Sequence, residues 1–184
     1  MNRAIYIFLS TLLYTGCTIP STDYSQDTEY SKIIGQCYEL KQSAFVFEGR
    51  CADLTGVNNN SELCNSIQAQ GVGGFPANWG DYLKDQASID RQLFDRLAFE
   101  KQRSIQFPLE VGSKIYITKL VNHGWGTAGK FWVVRGNTLV NGSSIEVELP
   151  SFGYVHGEPY WVDGKAEVFT GINPNFLSQC NKSP

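Results

Sequence analysis

The residues best equipped for chemistry in this chain of 184 are its two histidines, His123 and His156. Each stands beside glycine, in Asn122-His123-Gly124-Trp125-Gly126 and in Val155-His156-Gly157-Glu158. With Glu158 or Asp163 they would supply three donors and leave a zinc position open. Their spacing matches no helical metal motif such as His-Glu-x-x-His, and two turn residues are the simpler reading. Cys37 ahead of the histidines would give a thiolate–imidazole pair, but such a thiol needs a helix start or a nearby cation to lower its pKa. Cys37 lies instead in a strand-like stretch, with other cysteines available to bond it. A serine nucleophile needs a sharp strand-to-helix turn; no Gly-x-Ser-x-Gly occurs, and Gly142-Ser143-Ser144 reads as a hairpin running into a strand. Glu146, Glu148, Glu158 and Asp163 offer carboxylates of the type that cleave glycosides. Glu146 and Glu148, however, alternate with Ile145, Val147 and Leu149, the pattern of a strand's solvated face. Gly71–Gly74 lacks the Gly-Lys-Ser/Thr ending of a phosphate loop. No catalytic residue, metal or cofactor is therefore expected.

Contact chemistry is better represented. Trp125, Tyr154, Tyr160 and Trp161 fall in two segments, residues 122–132 and 153–163, that read as loops. Exposed Trp and Tyr favour contact with a partner protein or a sugar ring, so these four are the expected partner-binding residues. The alternative is that the loops fold back and cap the open end of a barrel. Trp132, within a strand pattern, is expected in the core.

The elements that must hold these residues are mostly strands. The chain carries 18 Gly, 4 Trp, 9 Tyr and 11 Phe, a composition suited to a β-rich fold. Residues 36–47 suggest a strand or hairpin. Residues 113–121, 130–135, 144–149 and 165–169 each read as a strand, with Gly136-Asn137 and Asn141-Gly142 as tight-turn candidates between them. Residues 49–80 look irregular. Residues 86–101 carry the one helical pattern: Ile89, Leu93, Phe94, Leu97 and Ala98 on one face, Asp90, Arg91, Asp95, Arg96 and Glu100 largely on the other, with Asp85 or Ser88 as N-cap. The expected fold is mainly β: a small antiparallel barrel or sandwich, SH3-like in strand count and spacing. One amphipathic helix and an irregular disulfide-stapled insertion over 49–103 complete it.

The formal charge is −3, with acids and bases interspersed and no basic run. Nucleic acid is excluded as a partner, as is a purely electrostatic hold on anionic lipid. The amino terminus suggests another route to a membrane. One basic residue, Arg3, precedes an apolar run from Ala4 to Tyr14, then Thr15, Gly16 and Cys17. This is the layout of a secretory signal, and the run is too short to span a bilayer. Leu13-Tyr14-Thr15-Gly16-Cys17 resembles the lipobox of bacterial lipoproteins, with Tyr14 where that family usually has leucine. The resemblance covers the first seventeen residues. It implies removal of residues 1–16, lipid on the Cys17 sulfur and a palmitate-type acyl chain on the new amino terminus. Thr18, where an aspartate would stand for retention, leans by the same resemblance toward an outer membrane.

With Cys17 lipidated, Cys37, Cys51, Cys64 and Cys180 remain, an even number that reads as two disulfides in an exported chain. Cys51–Cys64 and Cys37–Cys180 are the favoured pairs among three connectivities. Polar residues 17–32 are expected to be a flexible tether, followed by a single domain from 33 to 184. The function expected is a periplasm-facing, membrane-anchored module that binds an envelope protein or peptidoglycan without catalysis. The alternatives are an immunity protein that neutralises a toxin and an envelope hydrolase.

Overall fold

The strongest period-two alternation lies in the centre of a nine-stranded sheet. The structure, a computed structural model, describes residues 21–50, 63–94, 102–124, 130–150, 161–165 and 168–181. Its strands are β1 (Thr22–Asp23), β2 (Cys37–Leu40), β3 (Ala44–Arg50), β4 (Leu63–Ala69), β5 (Ile105–Leu109), β6 (Lys114–Gly124), β7 (Lys130–Val140), β8 (Ser143–Pro150), β9 (Val162–Lys165), β10 (Val168–Ile172) and β11 (Leu177–Gln179). Two helices, α1 (Trp79–Lys84) and α2 (Gln86–Leu93), stand between β4 and β5. The sheet runs β11-β2-β6-β7-β8-β4-β3-β5, with β1 also paired to β6, and curls into a half-barrel. The mainly β architecture expected from the sequence is the one that forms. β9 and β10 make a separate hairpin.

Asn141 and Gly142, at φ 50° and 80°, close the two-residue β7–β8 turn as expected, with Val140 opposite Ser143. Gly136-Asn137 does not turn. It lies inside β7, opposite Ile117 and Tyr116. A Cβ at Gly136 would come within 2.7 Å of Ile115 Cγ2 and 2.8 Å of the Tyr116 carbonyl oxygen, so glycine is there for close strand approach. Gly136→Ala should cost roughly 1–3 kcal/mol by overpacking, read as a lower midpoint in chemical denaturation.

Side-chain parity sorts the sheet into two faces. Val46, Ile67, Ile115, Ile117, Leu120, Trp132, Val134, Val147 and Leu149 fill the concave interior. On the opposite face, Phe45 and Phe47 join Phe75, Tyr82, Leu93, Phe94 and Ile105 in a second core beneath the helices. The compact run Ala44-Phe45-Val46-Phe47 is thus apolar throughout because both faces of β3 are covered. Pro108, which has no N–H to donate, sits on β5 at the sheet's edge.

Several elements differ from expectation. Residues 49–80 are less irregular than their composition suggests, since β4 pairs along all of β3. Its polar residues have partners: Asn65 donates to the Glu146 carbonyl at 3.1 Å, and Ser66 donates to the Glu148 carbonyl at 3.1 Å. These bonds reinforce the parallel β4–β8 seam, which has a single register pair, Ser66 with Glu148.

The expected helix forms as α2 over Gln86–Leu93, and a second helix, α1, precedes it. Asn78 caps α1 by accepting from the Asp81 N–H at 2.9 Å. Asp85 (φ −152°, ψ 57°) separates the helices and occupies the N-cap of α2 without a side-chain capping bond. α2 ends at Leu93, where Phe94 turns to φ −123° and ψ 79°, while residues 95–101 lie outside the described residues. Asp90, expected on the solvated side, is buried. It accepts from Tyr82 Oη at 3.0 Å and from the Ile105 N–H at 3.1 Å, tying α2 to α1 and β5. Burial raises its pKa, with the Ile105 N–H and the Tyr82 hydroxyl opposing.

The segment 165–169 is not one strand, because Lys165 ends β9 and pairs back with Val168 of β10. Nor is the stretch from 21 to 32 a free tether. Tyr24 donates its N–H to the Leu120 carbonyl at 2.8 Å, and Gly35 donates its own to that of Ile117 at 2.8 Å. β1 and β2 are therefore two parts of one edge along β6, separated by an excursion that includes a short 3-10 turn at Ser31–Ile33. Tyr24 and Tyr30 from this segment pack on Trp132, with ring centroids 5.1 and 5.5 Å away. Apolar contact with the sheet holds a segment whose sequence reads as mostly polar.

Candidate functional site

Register brings the strand ends from which the two aromatic segments depart to one end of the barrel. The chain leaves β6 at Gly124 and enters β7 opposite it at Lys130; β8 ends at Pro150, opposite Val133 of β7. The glycine loop after Ala69 belongs to this end too, since β4 runs parallel to β8. So does Thr22, paired with Asn122.

Of the four expected partner-binding residues, Trp125, Tyr154 and Tyr160 lie outside the described residues, as does His156. Trp161 is corrected. It is fully buried, its indole N–H donates to the Ile67 carbonyl at 2.9 Å, and its ring packs on Phe176. A Trp with its N–H bonded and its ring enclosed presents nothing to a partner. Trp132 is buried as expected.

The cysteines follow the expected scheme where they are described. Cys37 and Cys180 form a disulfide with Cα atoms 5.3 Å apart, and the Cys180 N–H also donates to the Cys37 carbonyl at 2.9 Å. Cys37 is therefore no nucleophile. Cys64 is disulfide-bonded as well, while Cys51 and Cys17 lie outside the described residues.

No family model, curated protein or solved structure matches this chain.

His123, Arg135 and Glu148 share the face of β6, β7 and β8 turned away from the interior core, with His123 opposite Phe131, four residues along β7 from Arg135. Arg135 and Glu148 are direct cross-strand partners, and Arg135 Nε donates to Glu148 Oε2 at 3.0 Å. Glu148 is 1 % exposed, whereas Glu146, 3.9 Å from the same guanidinium, is half exposed. The expectation that both glutamates are solvated thus fails for Glu148. Glu148 does lie on the face opposite Val147 and Leu149, but that face is buried there along with Ser66 and Gln68. A carboxylate held by a guanidinium and shut from water is poorly set up to donate a proton to a glycosidic oxygen.

His123 lies in β6, not in a turn, with its ring 4.7 Å from that of its cross-strand partner Phe131. Ser21 Oγ lies 3.5 Å from His123 Nδ1 and accepts the Gly124 N–H at 3.3 Å. Burial, helped by the Arg135 charge, lowers the imidazole pKa to about 4. Among the described residues, no group of three His, Cys, Asp or Glu side chains is placed to hold a metal ion.

The His123 shift has a pH consequence. The folded state favours neutral imidazole, so its contribution is complete above the ordinary value of 6.5 and is lost as pH falls toward 4. The loss is at most about 3 kcal/mol, and smaller because the ring keeps some contact with solvent. The stability difference between the natural chain and His123→Gln should therefore shrink between pH 6.5 and 4. Parallel denaturation curves at several pH values check this.

Proposed function

We propose that this chain is an exported envelope protein, anchored to a membrane by lipid on Cys17. It acts there as a non-catalytic module that binds another envelope protein or peptidoglycan. The observation that carries export is the Cys37–Cys180 bond, accompanied by a disulfide at Cys64. Such bonds persist in oxidising compartments and are rare in the cytosol. The lipobox-like Leu13–Cys17 supplies the anchor, and Thr18 favours the outer membrane, with the body facing the periplasm. No helix among the described residues is long and apolar enough to cross a membrane.

The binding reading draws on the shared end of β6, β7 and β8, from which the segments carrying Trp125, Tyr154 and Tyr160 depart. Burial of Trp161 narrows the expected contact set to these three. Affinity capture from solubilised envelope with the lipidated protein should recover one dominant partner or peptidoglycan. Trp125→Ala with Tyr160→Ala should weaken that capture at least fivefold. Capture unchanged in the double variant removes the aromatic contact, and a Cys17 found bare by mass spectrometry removes the anchor.

A further inference from the structure

We infer that the cluster of rings around Trp132 is a sugar site: a neutral N-acetylated pyranose stacks over Trp132 between Tyr30 and Phe169, and one of its oxygens accepts the Trp132 indole N–H. The site deepens the peptidoglycan-binding reading proposed above and rests on it. Its anchor is a donor that the fold leaves unused.

Two indoles are buried among the described residues, and they differ. Trp161 donates its N–H to the Ile67 carbonyl at 2.9 Å. Trp132 is 2 % exposed, and its Nε1 is buried without a hydrogen-bond partner. An indole N–H can only donate, and burying it unbonded costs free energy that one acceptor recovers.

Trp132 stands within β7, so the barrel fixes its position. The rings around it belong to two appendages. Tyr24 and Tyr30 come from the excursion between β1 and β2, which is tied at Tyr24 to the Leu120 carbonyl and at Gly35 to the Ile117 carbonyl. Between those ties, the backbone bonds donated from Asp27 to Ile34 stay within the loop, so it can shift without breaking the sheet ladder. Phe169 comes from β10 of the separate β9–β10 hairpin. The appendages meet edge to face at Tyr30 and Phe169, 5.9 Å apart, with Trp132 5.5 Å from the first ring and 5.7 Å from the second. Parting that contact opens a slot with an aromatic floor, two aromatic walls and one bare donor.

Chemistry selects the occupant. A pyranose offers apolar C–H faces to the rings and oxygens to the donor. A quaternary ammonium suits the rings but cannot accept from an N–H. An anionic oxygen is disfavoured, because residues 21–35 carry Asp23, Asp27 and Glu29 against Lys32 alone. Neutral carbonyl and hydroxyl oxygens remain, and an N-acetylhexosamine carries both.

The test titrates the full lipidated protein, isotope-labelled at tryptophan nitrogen and held in detergent micelles, with a soluble oligomer of N-acetylglucosamine. The indole resonance lost in Trp132→Phe identifies the group. That resonance should move downfield as sugar is added, while the Trp161 resonance stays in place. Trp132→Phe keeps a ring and loses the donor; Tyr30→Ala removes a partly exposed wall. Each should weaken binding roughly fivefold or more. A Trp132 resonance unmoved at millimolar sugar overturns the site, even where intact peptidoglycan is still captured through the Trp125 and Tyr160 segments. Failure to capture peptidoglycan at all removes the broader reading and the site with it. A shift produced by tetramethylammonium and not by the sugar overturns the sugar assignment.

Discussion

Glu148→Ala should destabilise the fold by about 3–5 kcal/mol, the usual cost of leaving one member of a buried ion pair without its partner. The geometry makes the pair sensitive. Arg135 Nε reaches Glu148 Oε2 at 3.0 Å, the Glu148 side chain is 1 % exposed, and that of Arg135 only 12 %. Glu146 is not an equal substitute, since it lies 3.9 Å away and nearly half in water. Removing both charges together is expected to behave differently. Arg135→Met with Glu148→Leu fills similar volume without stranding a charge, and should cost less than either single truncation. Equilibrium denaturation of the two single variants and the double closes the cycle. A double variant as damaged as the sum of the two singles would mean that the side chains act separately.

Loss of the Cys37–Cys180 bond ranks beside it. The bond closes a loop over a sequence separation of 143, for which the chain-entropy estimate is about 5 kcal/mol. Cys37→Ala with Cys180→Ala should therefore lower the denaturation midpoint far more than any surface change. The local ladder moderates this, because β11 pairs with β2 at Leu40, Glu39 and Tyr38 whether or not the sulfurs are joined. Unfolding of the oxidised natural chain against the double variant gives the difference directly. A shift under about 1 kcal/mol would mean that β2 and β11 stay together in the unfolded chain and leave the bond little entropy to remove.

Both features bear on what is legible in the sequence. The alternation in residues 113–121 and 144–149 and the Asn141-Gly142 turn translated directly, because period-two patterns and positive φ are local properties. What failed was the assignment of a face to solvent. Glu148 alternates with apolar neighbours and looks solvated. Its burial, beside Ser66 at the β4–β8 seam, is a tertiary property that alternation does not show. The same holds for β4 itself. Asn65, Ser66 and Gln68 make it look like a loop, yet Asn65 and Ser66 donate to β8, residues far away in sequence. Asp90 is a parallel case, since its partners Tyr82 and Ile105 come from other elements. Trp161 follows a Pro-Tyr pair that suggests a loop surface, and nothing nearby announces the Ile67 carbonyl that receives its N–H. At the candidate site, the enclosure of Trp161 is set by packing that residue type does not show. Which aromatics are free to make contact depended on tertiary packing.

β3 carries one more implication. Ala44 and Val46 face the barrel interior while Phe45 and Phe47 face the helices, and β4 and β5 flank it on either side. A slip of one position would drive two phenyl rings into space shaped for a methyl and an isopropyl group. It would also leave the helices resting on those small groups, with a void where the rings had been. Misalignment is thus penalised twice over, by crowding within and by hollowness without. The strand has one comfortable berth, and the rest of the sheet can take its bearings from it.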